Sequence, residues 1–188
     1  PAPDLYLVDK LMIEGERNGV EIILIINKTD LGDLEAIAAL ESTYKATGYP
    51  IIRVSCVLRE GFESLDSEIE NKIVTFAGQS GVGKSSIINT LYPQKRLETG
   101  DLSKRIGRGR HTTRHTQLLL LPSGAMLVDT PGFSTMSTED LEPEDLQYLY
   151  PDFGSHIQEC RFNGCVHHHE PGCGIKTAVA HDEICQGR

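Results

Sequence analysis

"GQSGVGKSSIINTLY", residues 78–92, follows the apolar run "KIVTFA" and fits G-x-x-x-x-G-K-[ST] from Gly78 to Ser85. Glycines at this spacing let successive backbone N–H groups converge on phosphate oxygens, and the helix that starts behind them adds its positive N-terminal end. The residues expected to hold phosphate are Gly78, Gln79, Ser80, Gly81, Val82, Gly83, Lys84, Ser85 and Ser86. Lys84 would reach the β- and γ-phosphates and the Ser85 hydroxyl a Mg²⁺ ion. The competing reading is an ordinary glycine-rich strand-to-helix turn, against which stands a complete match in the right context.

Working outward, "LVDTPG" at residues 127–132 ends a strand in Asp129, whose carboxylate can hold Mg²⁺ through water, while the Gly132 N–H can bond a γ-phosphate. Alone, Asp-x-x-Gly is a common turn; behind a phosphate loop and a buried strand it reads as a metal and phosphate sensor. On the other side, about fifty residues upstream, "NKTD" at residues 27–30 follows the apolar run "EIILII". A carboxylate at Asp30 accepts hydrogens from both N1 and N2 of guanine, whereas adenine presents an acceptor at N1 and would leave a charge unpaired. Such a site discriminates by ~10⁴ or more. Lys28 can lay its stem along the base and Asn27 can tie this loop to the phosphate loop, so the set selects GTP over ATP. "VSC", residues 54–56, ends the next strand and offers the Ser55 or Cys56 backbone to guanine O6. By itself a polar loop would account for "NKTD".

The rest of the pattern places these loops on one sheet edge. Helical periods over residues 3–18, 33–48 and 61–71 alternate with apolar, β-branched runs at 21–27, 50–56 and 72–78, and a helix follows at 84–92. Residues 116–129 read as a hairpin around Pro-Ser-Gly, and 142–150 as a last helix. Alternating strands and helices imply an α/β fold with a mostly parallel sheet covered on both faces, the run at 21–27 being a strand buried on both sides. All its ligand loops then lie at the carboxyl ends of the strands. The motif order is that of a nucleotide domain whose old termini are joined and whose chain is cut elsewhere, a circular permutation.

The totals agree. The 188 residues carry 39% hydrophobic and 24% charged side chains and a net charge of −9, which argues against general nucleic-acid affinity. No apolar run approaches the ~18 residues that cross a bilayer, and no signal peptide is visible, so a cytoplasmic protein without membrane attachment is expected. The charge is uneven: "KRIGRGRHTTRH", residues 104–115, holds five Lys/Arg, two His and no acid. Neither structural period is present over 93–115, which reads as a mobile loop suited to RNA phosphates, or as a solvated surface loop. It occupies the place of a switch between phosphate loop and Asp129, where Thr112 or Thr113 completes the Mg²⁺ shell. Phe133 stands where many GTPases carry a glutamine that orients the attacking water, so intrinsic hydrolysis should be slow.

Four of the five cysteines fall within the last 29 residues, with five of the seven histidines after residue 150. "CRFNGCVHHHEPGC" gives Cys160, Cys165, His167 and Cys173, three thiolates and an imidazole that make a closed tetrahedral shell for structural zinc. Unpaired cysteines or disulfides are the alternatives; His168 and His169 can replace His167, and Cys185 is a bystander. We place a boundary here: a GTPase domain over 1–150 and a zinc-binding region over 151–188.

Taken together, base reader, phosphate loop, "GRGRHTTRHTQLLLLPSGAMLVDTPGF" and the Cys/His spacing resemble the bacterial ribosome small subunit-dependent GTPase A family, over essentially all 188 residues. The resemblance implies a GTP hydrolase, binding GTP and GDP, with Mg²⁺ and one structural zinc. It implies docking on the small ribosomal subunit and its rRNA, coupling of hydrolysis to late maturation and release, and a monomer. It favours Thr113 over Thr112 as the Mg²⁺ ligand and maps the water-positioning group onto His111, with His115 in reserve. The alternative is a GTP-dependent RNA-binding scaffold whose hydrolysis is incidental. The family's N-terminal oligonucleotide-binding barrel, the strand before residues 3–18 and the C-terminal tail have no counterpart in these residues; the expectation is a truncated chain, or one with disordered parts left out.

Overall fold

Asp4 opens the first helix by accepting the Leu7 N–H at its Oδ1, 3.1 Å away, which supplies a partner to a helix-start donor. In the computed structural model, which describes residues 3–93, 117–129 and 141–188, this helix, α1, spans Leu5–Arg17 and ends where the Asn18 side chain returns to the Glu14 carbonyl. The further elements are β1 (Leu24–Asn27), α2 (Leu34–Tyr44), β2 (Ile51–Val54), α3 (Phe62–Ile69), β3 (Ile73–Val74), α4 (Lys84–Leu91), β4 (Gln117–Leu120), β5 (Met126–Asp129) and α5 (Gly174–Ala180). Asp33 caps α2 through Ala36 N–H.

Strands and helices alternate as expected, but the ladders are shorter. Among the described residues β1 pairs with β2, and a second sheet runs β3-β5-β4, with β3 and β5 parallel and β4 and β5 antiparallel. No ladder joins the two sheets among these residues. With one partner strand, β1 is half-buried rather than buried on both sides. Within the run 72–78, the pairing seen among the described residues is that of Ile73–Val74 with Met126 and Leu127. The expected helix over 142–150 is a 3-10 turn at Leu146–Leu149: Pro151 pushes Tyr150 into extended backbone and ends it.

The chain forms two units. The first holds residues 25–32 and the described parts of 1–7 and 52–136; there Ile88 of α4 packs on Leu119 and Leu127, with Val74 and Phe76 beside them, while Leu118 and Leu120 on the other face of β4 stay exposed. The period of two along the strand makes that division. The second unit takes 8–24, 33–51 and the described part of 137–188; Met12, Ile13, Ile37 and Tyr44 are buried in it, and one cluster of its core is Cys165, Cys173, Ile175, Ala178 and Ile184. No helix among the described residues is long and apolar enough to cross a membrane.

Candidate functional site

The first unit brings the base-reading and phosphate loops together. Lys28 leaves β1 in left-handed backbone (φ 66°). Its ammonium donates to the Gly81 carbonyl at 2.7 Å, and Asn27 Nδ2 donates to the Val82 carbonyl at 2.8 Å. These two bonds strap loop to loop across more than fifty residues of chain. Gly83 lies under the strap at φ 98°, where an added Cβ would stand 2.3 Å from Asn27 Nδ2, so only glycine fits. Gly78 and Gly81 also have positive φ, and α4 starts at Lys84 with no side chain capping its N–H groups. Lys84 Nζ donates to the carbonyls of Gly78 (2.7 Å) and Gln79 (2.9 Å), and burial holds its ammonium below the ordinary lysine range. Gln79 accepts the Asp4 N–H through its side chain; Ser85 and Ser86 occupy the first turn of α4.

Asp30 is oriented by a group that sequence reasoning assigned otherwise. The fully buried Ser55 hydroxyl donates to Asp30 Oδ1 at 2.7 Å and accepts the Leu58 N–H at 3.1 Å. Both backbone groups of Ser55 are engaged with Glu60, so its contribution here is its hydroxyl. Thr29 Oγ1 reaches the Val54 carbonyl at 3.2 Å and ties the same loop to β2. Cys56 Sγ lies 3.7 Å from Asn27 Oδ1. Asp129 ends β5 opposite Gln117. Thr112, Thr113, His111, His115, Gly132, Phe133 and the basic run 104–115 lie outside the described residues.

The second unit assembles Cys160, Cys165, His167 and Cys173, whose ligand atoms all lie within 4.8 Å of one another. Tetrahedral zinc, with Zn–S of about 2.3 Å and Zn–N of about 2.0–2.1 Å, requires S···S separations of about 3.8 Å and S···N separations of about 3.6 Å. Cys160 Sγ is 4.0 Å from Cys173 Sγ and 3.6 Å from His167 Nδ1, which is 3.2 Å from Cys173 Sγ. The donor set and its spacing fit zinc. Burial pushes the Cys165 thiol up to about 11, with the neighbouring thiols adding to the shift, and holds His167 below its ordinary value, towards neutral imidazole. Deprotonation of such a thiol is what a bound metal supplies. Around the ligands, the Gly174 N–H donates to Cys160 Sγ at 3.3 Å. A Cβ at Gly174 would stand 2.2 Å from the His156 carbonyl, so this approach also requires glycine. Gln147 Oε1 lies 3.0 Å from His167 Nε2. No sequence motif announces Gln147 or the part played by the Ser55 hydroxyl; both act across twenty or more residues of chain.

A family model described as RsgA GTPase matches residues 1–139. Proteins named small ribosomal subunit biogenesis GTPase RsgA from Alkaliphilus metalliredigens and Ruminiclostridium cellulolyticum are 41% and 42% identical to the whole chain, which covers 64% and 61% of them. The chain therefore spans less than two thirds of the length of these relatives. Among solved structures, YjeQ from Thermotoga maritima matches with a TM-score of 0.85 at 38% identity, over 100% of this chain and 63% of that one. YloQ, described as a circularly permuted GTPase, matches with a TM-score of 0.77 at 32% identity, over 100% and 60%. The α/β architecture here, with the base-reading loop ahead of the phosphate loop, is that circularly permuted P-loop GTPase fold.

Proposed function

The chain belongs to the RsgA GTPase family, and on that premise we propose that it hydrolyses GTP with Mg²⁺ and couples its nucleotide state to docking on the small ribosomal subunit and its rRNA during late maturation. Hydrolysis to GDP releases it, and it works as a monomer in the cytoplasm. The names of its relatives, small ribosomal subunit biogenesis GTPases, support the setting. The observation that carries the nucleotide reading is the strap from Asn27 and Lys28 to Val82 and Gly81, together with the Ser55–Asp30 bond, because it holds a guanine-selective carboxylate beside a phosphate cradle.

In this reading Asp30 accepts from the guanine edge, Lys28 lies along the ring, and Ser55 and Cys56 complete the base pocket, with Cys56 taking over the backbone contact to O6. The N–H groups of residues 78–86 and the Lys84 ammonium bind phosphate oxygens, the ammonium exchanging its two loop carbonyls for them. Ser85, Thr113 and Asp129, hard oxygen donors, would hold Mg²⁺, which would supply neutralisation of phosphate charge. Gly132 senses the γ-phosphate and His111 positions the water. Cys160, Cys165, His167 and Cys173 would hold a structural zinc, which would supply folding free energy to the region 151–188 that follows the GTPase domain of 1–150 in sequence.

Phosphate release from GTP, measured alone and with small or large ribosomal subunits, tests the proposal. Stimulation by small subunits only is expected, lost in His111→Ala. Tight GTP binding with no stimulation by either subunit would favour the scaffold reading, for which Phe133 speaks.

A further inference from the structure

The imidazole of His167 has two nitrogens, and a metal can take only the one without a proton. What decides between them lies outside the Cys/His segment. Gln147, buried in the 3-10 turn Leu146–Leu149, donates from Nε2 to the Glu144 carbonyl at 2.7 Å. A backbone carbonyl can only accept, so it fixes which end of the Gln147 amide is the NH₂. The other end, Oε1, is thereby turned to His167 Nε2 at 3.0 Å, and an amide oxygen can only accept. Nε2 must then carry the proton. Nδ1, which faces Cys160 Sγ at 3.6 Å and Cys173 Sγ at 3.2 Å, is left with its lone pair towards the thiols. Phe153 stands edge-on to the ring at 5.6 Å and limits its rotation.

We propose that Gln147 is a positioning residue for the metal centre: the relay from Glu144 carbonyl through the Gln147 amide to His167 Nε2–H selects Nδ1 as the metal-binding nitrogen and holds the ring in its binding orientation. The inference rests on the zinc reading of the four ligands. It extends the centre to residues 144–147, on the far side of the boundary at residue 150 that composition indicates. Carboxylates and carbonyls behind metal-bound histidines commonly raise affinity 10–100-fold, and an amide oxygen is placed here to do the same.

The test uses the full chain loaded with Zn²⁺. Long-range ¹H–¹⁵N spectra of the unsubstituted protein should show His167 protonated at Nε2 and metal-bound through Nδ1. Competition with a chromophoric chelator should show Gln147→Met, which keeps length but whose thioether accepts only weakly, binding Zn²⁺ 10–100-fold more weakly. Gln147→Glu, which restores the acceptor for Nε2–H but loses the donor to the Glu144 carbonyl, should recover only part of that loss. Metal bound through Nε2, or a Gln147→Met affinity within threefold of the parent, would overturn the relay while leaving the zinc reading intact. If Gln147→Met does not fold, the spectra of the unsubstituted protein decide alone. A parent chain that takes up no Zn²⁺ would overturn both.

Discussion

Asp30 makes one bond in this structure that bears on its chemistry: Ser55 donates to one carboxylate oxygen, and that fixes the carboxylate's direction before any ligand arrives. Preorganisation of this kind means that less ordering is left to be done on binding. Asp30→Asn replaces an acceptor by a donor at the guanine N1 and N2 edge, so we expect GTP affinity to fall by about 10³-fold or more and xanthosine triphosphate, whose edge is complementary to Asn, to become the better ligand. Competition binding of the two nucleotides measures this, and an unchanged preference for GTP would remove Asp30 from the base pocket. Ser55→Ala should have a smaller effect in the same direction. A hydrogen bond to a charged group contributes about 1.5–3 kcal/mol, of which part returns through solvation, so roughly a tenfold loss of GDP affinity is expected in a fluorescence titration. Asp30 could be singled out as a candidate because Asn-Lys-x-Asp spacing belongs to one short loop. The Ser55 hydroxyl was not, since the strand end that carries it reads only as a backbone position.

At the scale of elements, the phosphate loop and α4 were legible almost to the residue, because glycines and the helical period coincide there. The weak points were strand lengths and the segment before the Cys/His cluster. Apolar runs give no information on how many partner strands exist, so the run ending at Asn27 suggested deeper burial than its one partner among the described residues provides. Periodicity over 142–150 suggested a helix, but prolines at 143 and 151 leave room for little more than a turn. That turn matters, because it supplies Gln147. Element packing also yields two tests. Gly83→Ala puts a Cβ against Asn27 Nδ2 at a φ of 98°, at a cost of ~1–3 kcal/mol in backbone strain plus the strap. GTP affinity should fall at least tenfold in equilibrium binding, with the far-ultraviolet circular dichroism unchanged; parent-like affinity would show that the strap is dispensable. Stripping Zn²⁺ with a strong chelator should raise hydrogen exchange across Cys160–Ala180, since Cys165 and Cys173 are both core residues and proposed ligands. Protection that survives chelation would mean that the apolar contacts of Ile175, Ala178 and Ile184 suffice.

Over the molecule as a whole, the two candidate sites fall in two units, and the second unit is gathered from three separate lengths of chain. Arg188 is where those lengths meet. Its side chain, 1% exposed, makes paired bonds to Asp152 (2.9 and 3.0 Å) and a further bond to Asp9, and its guanidinium lies over the rings of Tyr44 and Tyr150. Residues 179 apart in sequence are thus joined by one side chain. The permuted order of the motifs could be read from the sequence, but this closure could not, because no local pattern marks an arginine as buried. The two carboxylates should respond differently. Asp152 is fully buried and depends on the guanidinium. Burial raises the Asp9 carboxyl above its ordinary value despite Arg188, so the folded state binds that proton more tightly than the unfolded state does. The Asp9 contribution is therefore present in full below about 3.8 and is lost as pH rises through the raised value, the reverse of a carboxylate stabilised as the anion. At pH 7, Asp9→Asn should change stability by less than about 1 kcal/mol, whereas Arg188→Met, which leaves Asp152 buried without a counter-charge, should cost about 3–5 kcal/mol. Pairing Arg188→Met with Asp152→Leu should recover a large part of that cost, because no buried charge is then left unpaired at that contact. Urea unfolding at pH 7 with a probe in the second unit distinguishes the cases. An Arg188→Met loss within about 1 kcal/mol would mean that the aromatic stacking and chain packing close this unit without the ion pair.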